Sequence, residues 1–131
     1  MRKNFSINYG VLFEFSGEIY DLRGSCELMG VSFRPGSISS VEMIWGIDSS
    51  NQQIVIKFTS VEDFIVRGRD SAYPLKSGTM LAIAGFSDGI SVGSEDQFYL
   101  EPSQEMSYMS FLMDDLSAFL VKAESVSMRR V

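Results

Sequence analysis

Between Phe5 and Phe15 the odd positions are Phe5, Ile7, Tyr9, Val11, Phe13 and Phe15, and the even ones are Asn4, Ser6, Asn8, Gly10, Leu12 and Glu14. Alternation with period two predicts strand with one wet and one buried face, and Gly10 marks a bend or bulge dividing it in two. A strand pair is expected next, over 18–22 and 25–33, with a turn at Asp21-Leu22-Arg23-Gly24. Arg34-Pro35-Gly36-Ser37 ends that region, because proline cannot donate to a ladder and glycine frees the backbone. Val41, Met43, Trp45 and Ile47 then alternate with Glu42, Ile44 and Gly46, giving another strand, and the polar run from Asp48 to Gln52 reads as a hairpin loop. The stretch from Gln53 to Asp70 reads as two strands, 53–58 and 63–68, joined by a turn after Thr59-Ser60. Both carry branched or aromatic residues on each face, as suits the middle of a sheet covered on both sides. Strands 41–47, 53–58 and 63–68 are therefore expected to form an antiparallel meander.

A loop containing Pro74 and Gly78 leads to an apolar run from Met80 to Phe86, then a turn at Asp88-Gly89, an acidic loop or edge hairpin over 87–96, and a short strand over 98–100. Near the end the period changes. Met106, Met109, Leu112, Met113, Leu116, Phe119, Leu120 and Ala123 fall within an arc of about 140° on a helical wheel, with Ser110, Asp114 and Ser117 opposite. That spacing predicts an amphipathic helix of about five turns, capped by Ser103, packed on one face of the sheet, and followed by a frayed tail over 124–131. The expected fold class is α+β: an antiparallel meander of about six to eight strands, strongly twisted or partly rolled, with one C-terminal helix, in a single domain spanning 1–131.

Composition narrows the chemistry more than the fold. The 131 residues include 10 Phe and 8 Met, so the core is expected to be rich in aromatic and thioether groups. The net charge of −6 understates the asymmetry. Arg2, Lys3, Arg129 and Arg130 sit at the ends, leaving 7 basic against 17 acidic side chains between residues 4 and 128, a net of −10. Such a body repels phosphate backbones and anionic lipid surfaces, and attracts a basic partner. One thiol, Cys26, rules out an intrachain disulfide framework and fits a reducing compartment. No apolar h-region follows Arg2-Lys3, and no window approaches a transmembrane helix, so a soluble cytoplasmic protein is expected.

Histidine is absent, which removes Ser-His-Asp and Cys-His catalysis, imidazole bases and histidine-containing metal sites. Cys26, flanked by Ser25 and Glu27, lacks an activating cation and reads as an apolar filler. Asp114-Asp115 are adjacent and point apart on a helix, which suits a solvated face and no carboxylate dyad. Glu62-Asp63 reads as a structural turn, Asp88, Glu95 and Asp96 lack EF-hand spacing, and no glycine run matches a phosphate-binding loop. Arg67-Gly68-Arg69-Asp70 with Tyr73 is the constellation with most chemical content. Two guanidinium forks on one strand end would bind a carboxylate or phosphate beside Tyr73; the alternative is that they pair with Asp70, Glu62 or Asp63 and anchor the loop.

No cofactor and no metal is expected. A histidine-free acidic domain suits a non-catalytic protein-binding module for a basic partner, immunity-like or inhibitor-like, and in composition alone the chain resembles small acidic toxin-neutralising and adaptor proteins of bacteria. The alternative is a carrier whose rolled sheet holds an apolar ligand with Arg67 or Arg69 at its anionic end. An exposed sheet edge also makes a homodimer possible.

Overall fold

The computed structural model describes residues 1–48, 50–67, 79–87, 108–115 and 117–131, and within them every regular element is a strand. These are β1 (Arg2–Lys3), β2 (Ser6–Asn8), β3 (Leu12–Phe15), β4 (Glu18–Asp21), β5 (Cys26–Arg34), β6 (Ser40–Ile47), β7 (Gln53–Arg67), β8 (Leu81–Ser87), β9 (Tyr108–Met113) and β10 (Ala118–Arg130). A large sheet runs β5-β6-β7-β10-β9-β8, with β1 added parallel to β10; the small sheet is β2-β3-β4. The antiparallel, partly rolled sheet is as expected.

The C-terminal helix is not there. Residues 108–113 and 118–130 form the β9–β10 hairpin, and Asp114, Asp115 and Ser117 make its turn, with Asp115 accepting from the Ser117 N–H at 2.9 Å. Its apolar spacing misleads because this stretch is covered on both faces. Met109, Phe111 and Met113 join the main core, whereas Leu112, Ala118 and Leu120 form a second apolar cluster on the opposite face. A strand buried on both sides has no wet face to impose alternation, so its apolar residues fall in a helical arc as readily as in a strand pattern. The tail expected to fray is instead the second half of β10, paired with β7 as far as Arg130 opposite Ile54.

A second correction concerns the meander. Residues 53–67 form one strand, β7, with no hairpin turn at Thr59-Ser60, and its neighbours are β6 and β10. Inward positions on β7 step from Phe58 to Val61, and on β10 from Ala123 to Val126, three residues in place of two. Both strands turn a corner there. Ser60 makes it with φ of 57°, its N–H bound to the Ser39 carbonyl, and Glu62 is the extra residue of a bulge just beyond. The corner folds the sheet into a half-barrel.

The rolled sheet brings β5 and β8 towards each other without completing the ladder between them. At one point the Leu28 N–H reaches the Thr79 carbonyl at 2.8 Å; at another the Ala84 N–H reaches the Gly10 carbonyl at 2.7 Å. Gly10 belongs to the β2–β3 turn, so the small sheet helps close the seam. Here the long alternating segment is cut as expected: Tyr9 and Gly10 both have positive φ, as a mirror-image hairpin turn needs. Ser16-Gly17 makes the next two-residue turn, and β4 pairs with β3, while β5 goes to β6; the expected 18–22/25–33 pairing does not form.

Phe5, Ile7, Phe13 and Leu22 from the N-terminal segment are buried with Trp45, Phe58 and Phe111 of the large sheet in one core. Phe13 stacks on Phe5 at 5.5 Å and on Phe111 at 6.4 Å, and Phe58 meets Phe111 edge-on at 6.2 Å. These rings occupy the space between the sheets.

Candidate functional site

Of the four residues singled out for anion binding, Arg67 is the last residue of β7, half-buried and opposite Ala118. Arg69, Asp70 and Tyr73 lie outside the described residues, as do Asp88, Glu95 and Asp96. Two of the acids proposed as anchors for the arginines, Glu62 and Asp63, make contacts of their own. Glu62 pairs with Lys122 at 3.3 Å, and Asp63 accepts a short hydrogen bond from the Tyr108 hydroxyl. That bond and the adjacent negative charge push the Tyr108 phenol up to about 12, because ionising it would place two anions together. Glu62-Asp63 is thus structural, though in a bulge and not in a turn.

Cys26 and Trp45 are core residues, as their surroundings in sequence suggest. Burial, followed by the fields of Asp48 and Asp21, raises the Cys26 thiol to about 11, so it is neither a nucleophile nor a ready metal ligand at neutral pH. Asp48 and Asp21 thus both lie near Cys26 at this end of the barrel. Asp48 is tied there by its N–H to the Ser25 carbonyl at 2.9 Å, and Asp21 accepts from the N–H groups of Arg23 and Gly24 at 3.0 and 2.9 Å, making the turn expected at 21–24.

At this same end the surface opens into a groove of about 340 Å³ between β5, β6 and the start of β7. Glu27 and Asp48 line it, with Met29 and Ile47 as apolar wall and Asn51 and Gln52 from the β6–β7 loop as polar rim. Its floor exists because residue 46 has no side chain. A Cβ on Gly46 would stand 3.3 Å from Met29 Cγ and 4.0 Å from Glu27 Cγ, so these two side chains lean over the vacant position. Among the described residues no lysine or arginine lines the groove. Two carboxylates beside an apolar wall suit a cation on an aliphatic stem, such as a lysine or arginine side chain.

This place is not apparent along the sequence, where Glu27 is a neighbour of Cys26 and Asp48 part of a polar loop. The available signal was a glycine at an outward position of a strand, two residues before an acidic turn, but nothing along the chain says that Glu27 lies opposite Gly46.

Among the described residues no group of three or more Cys, Asp or Glu side chains is placed to hold a metal ion, and no helix is long and apolar enough to cross a membrane. No protein-family model, curated protein or solved structure matches the chain.

Proposed function

We propose that this protein is a non-catalytic binding module that holds a basic protein partner, in the manner of an immunity or inhibitor protein, with the Glu27–Asp48 groove as a contact. The observation that carries this reading is the groove itself: acidic, apolar on one wall, and without a lining cation among the described residues, on a body whose net charge between the terminal basic residues is −10. The remaining features agree with it. Among the described residues aromatic and aliphatic side chains pack together in the core, and the chain's only thiol is buried and protonated, which favours a contact on the surface. Long-range attraction speeds encounter with a basic partner, and the groove then supplies a specific anchor point.

The test is affinity capture from the native host, using immobilised wild-type protein beside the double variant Glu27→Gln, Asp48→Asn, at low and at physiological salt. A basic protein retained by the wild type, released by salt and lost from the double variant is the expected result. Retention of nothing at either salt, or equal retention by both proteins, defeats the reading.

A further inference from the structure

The layout of the groove beside β5 and β6 distinguishes between the two kinds of basic side chain. Glu27 of β5, Gly46 of β6 and Gln53 of β7 are register partners across three adjacent strands, so they stand in one row on the outer face of the sheet. Asp48, two residues after Gly46, lines the same groove just past the end of β6. Because residue 46 has no side chain, the row has a gap between Glu27 and Gln53, floored by peptide backbone. A Cβ in that gap would stand 3.3 Å from Met29 Cγ and 3.4 Å from Met29 Sδ, which sets a polarisable thioether against it.

The acids of the groove also differ from others on the large sheet. Glu42 pairs with Lys57 at 3.8 Å and Glu62 with Lys122 at 3.3 Å, whereas no hydrogen bond or ion pair among the described residues engages the carboxylates of Glu27 and Asp48. Ser50 on the rim is already committed: its hydroxyl donates to the Ile47 carbonyl at 3.3 Å and accepts from the Gln52 N–H at 3.1 Å. The unclaimed charges are therefore two carboxylates placed about an empty, flat-floored position.

We infer that the group this groove takes from its basic partner is an arginine side chain, its guanidinium laid flat over Gly46 and its N–H groups divided between Glu27 and Asp48. The inference rests on the reading of the groove as a contact for a basic protein, and adds which side chain enters it. Two physical differences select arginine over lysine. A guanidinium is planar and presents five donors in fixed directions, so it serves two separate carboxylates at once, whereas an ammonium is a compact point charge. A guanidinium is also weakly hydrated, so laying its face on peptide and thioether costs less than stripping the shell of an ammonium. At about 340 Å³ the groove lies near the small end of ligand sites, which run from about 300 to 1,000 Å³. That size suits one long side chain and the backbone that carries it.

NMR titration of the full-length protein tests this, with N-acetyl-arginine methylamide and N-acetyl-lysine methylamide as probes, since each carries its side-chain charge alone. The arginine probe is expected to move the Gly46 amide and Met29 methyl signals, and to bind about three- to tenfold more tightly than the lysine probe, the equivalent of one further net hydrogen bond. Gly46→Val fills the gap without altering any charge and should abolish that preference, while Glu27→Gln, which keeps the shape, should weaken both probes. If Gly46→Val loses its strand circular dichroism, Gly46→Ala serves, its methyl group reaching Met29 Cγ at 3.3 Å. Equal binding of the two probes, a preference that survives filling the gap, or no shift at Gly46 with either probe overturns the inference, and the basic-partner reading then stands or falls on affinity capture alone. An arginine preference abolished by Gly46→Val, with no protein captured from the host, would uphold the seat and defeat the partner reading.

Discussion

Phe13 gives a direct test of whether the small sheet and the half-barrel are one cooperative structure. Its ring is wholly buried, stacked on Phe5 at 5.5 Å and on Phe111 at 6.4 Å, and β3 brings few other large groups to the barrel core. Replacing a buried phenylalanine by alanine costs about 3–5 kcal/mol, transfer and cavity together, and an aromatic pair contributes about 0.5–1.5 kcal/mol beyond burial. Phe13→Ala should therefore remove about 4 kcal/mol, a large share of the 5–15 kcal/mol that usually separates folded from unfolded domains. The assay is urea unfolding followed by Trp45 fluorescence, since the single Trp lies in the same core, 6.4 Å from Phe111. A cycle with Phe111→Leu should show coupling of about 1 kcal/mol between the two rings. Loss of less than about 1.5 kcal/mol on Phe13→Ala, or coupling near zero, would mean that the small sheet is an appendage and would refute the packing argument.

Three other outcomes follow from local geometry. Gly10 and Gly17 both have positive φ, but a Cβ on Gly10 would stand 2.5 Å from Ile83 Cγ1 whereas one on Gly17 meets nothing within 4 Å; Gly17→Ala should cost about 1 kcal/mol and Gly10→Ala about 1–2 kcal/mol more, measured by urea midpoints. Tyr108 has a phenol pKa near 12 against 10 when unfolded, so its hydrogen bond to Asp63 adds stability that is complete below pH 10 and lost as pH rises towards 12. Tyr108→Phe should flatten that part of the fall in the urea midpoint, and an equal fall in both proteins would count against the assignment. Cys26, buried with its thiol near 11, should react with a thiol reagent at neutral pH only at the rate of protein opening, and a fast burst in the native state would contradict its placement.

Much of the β architecture is legible along the chain, and the reasons are local. The alternation from Phe5 to Phe15 reports a hairpin with one wet face, Gly10 reports its turn, and the run 41–47 reports β6, because in each the solvent enforces a period of two. Charge and composition likewise exclude imidazole chemistry and identify an acidic body without reference to any fold. The C-terminal hairpin was illegible for the opposite reason. Residues 109–113 and 118–121 are buried on both faces, so hydrophobicity there carries no period, and an apolar arc on a helical wheel is an accident of density.

What the amino-acid order determined by itself is therefore that several segments outside the C-terminal hairpin extend, where some of them turn, and what chemistry the side chains lack. Tertiary structure alone decided that β7 runs through Ser60 as a corner, that β10 and not a meander neighbour lies beside it, and that Glu27, Asp48 and Gly46 meet in one groove. Such pairings join residues far apart along the chain, such as Asn4 with Met128. They are selected by burial and backbone hydrogen bonding over the whole sheet, a competition that no local window of sequence records.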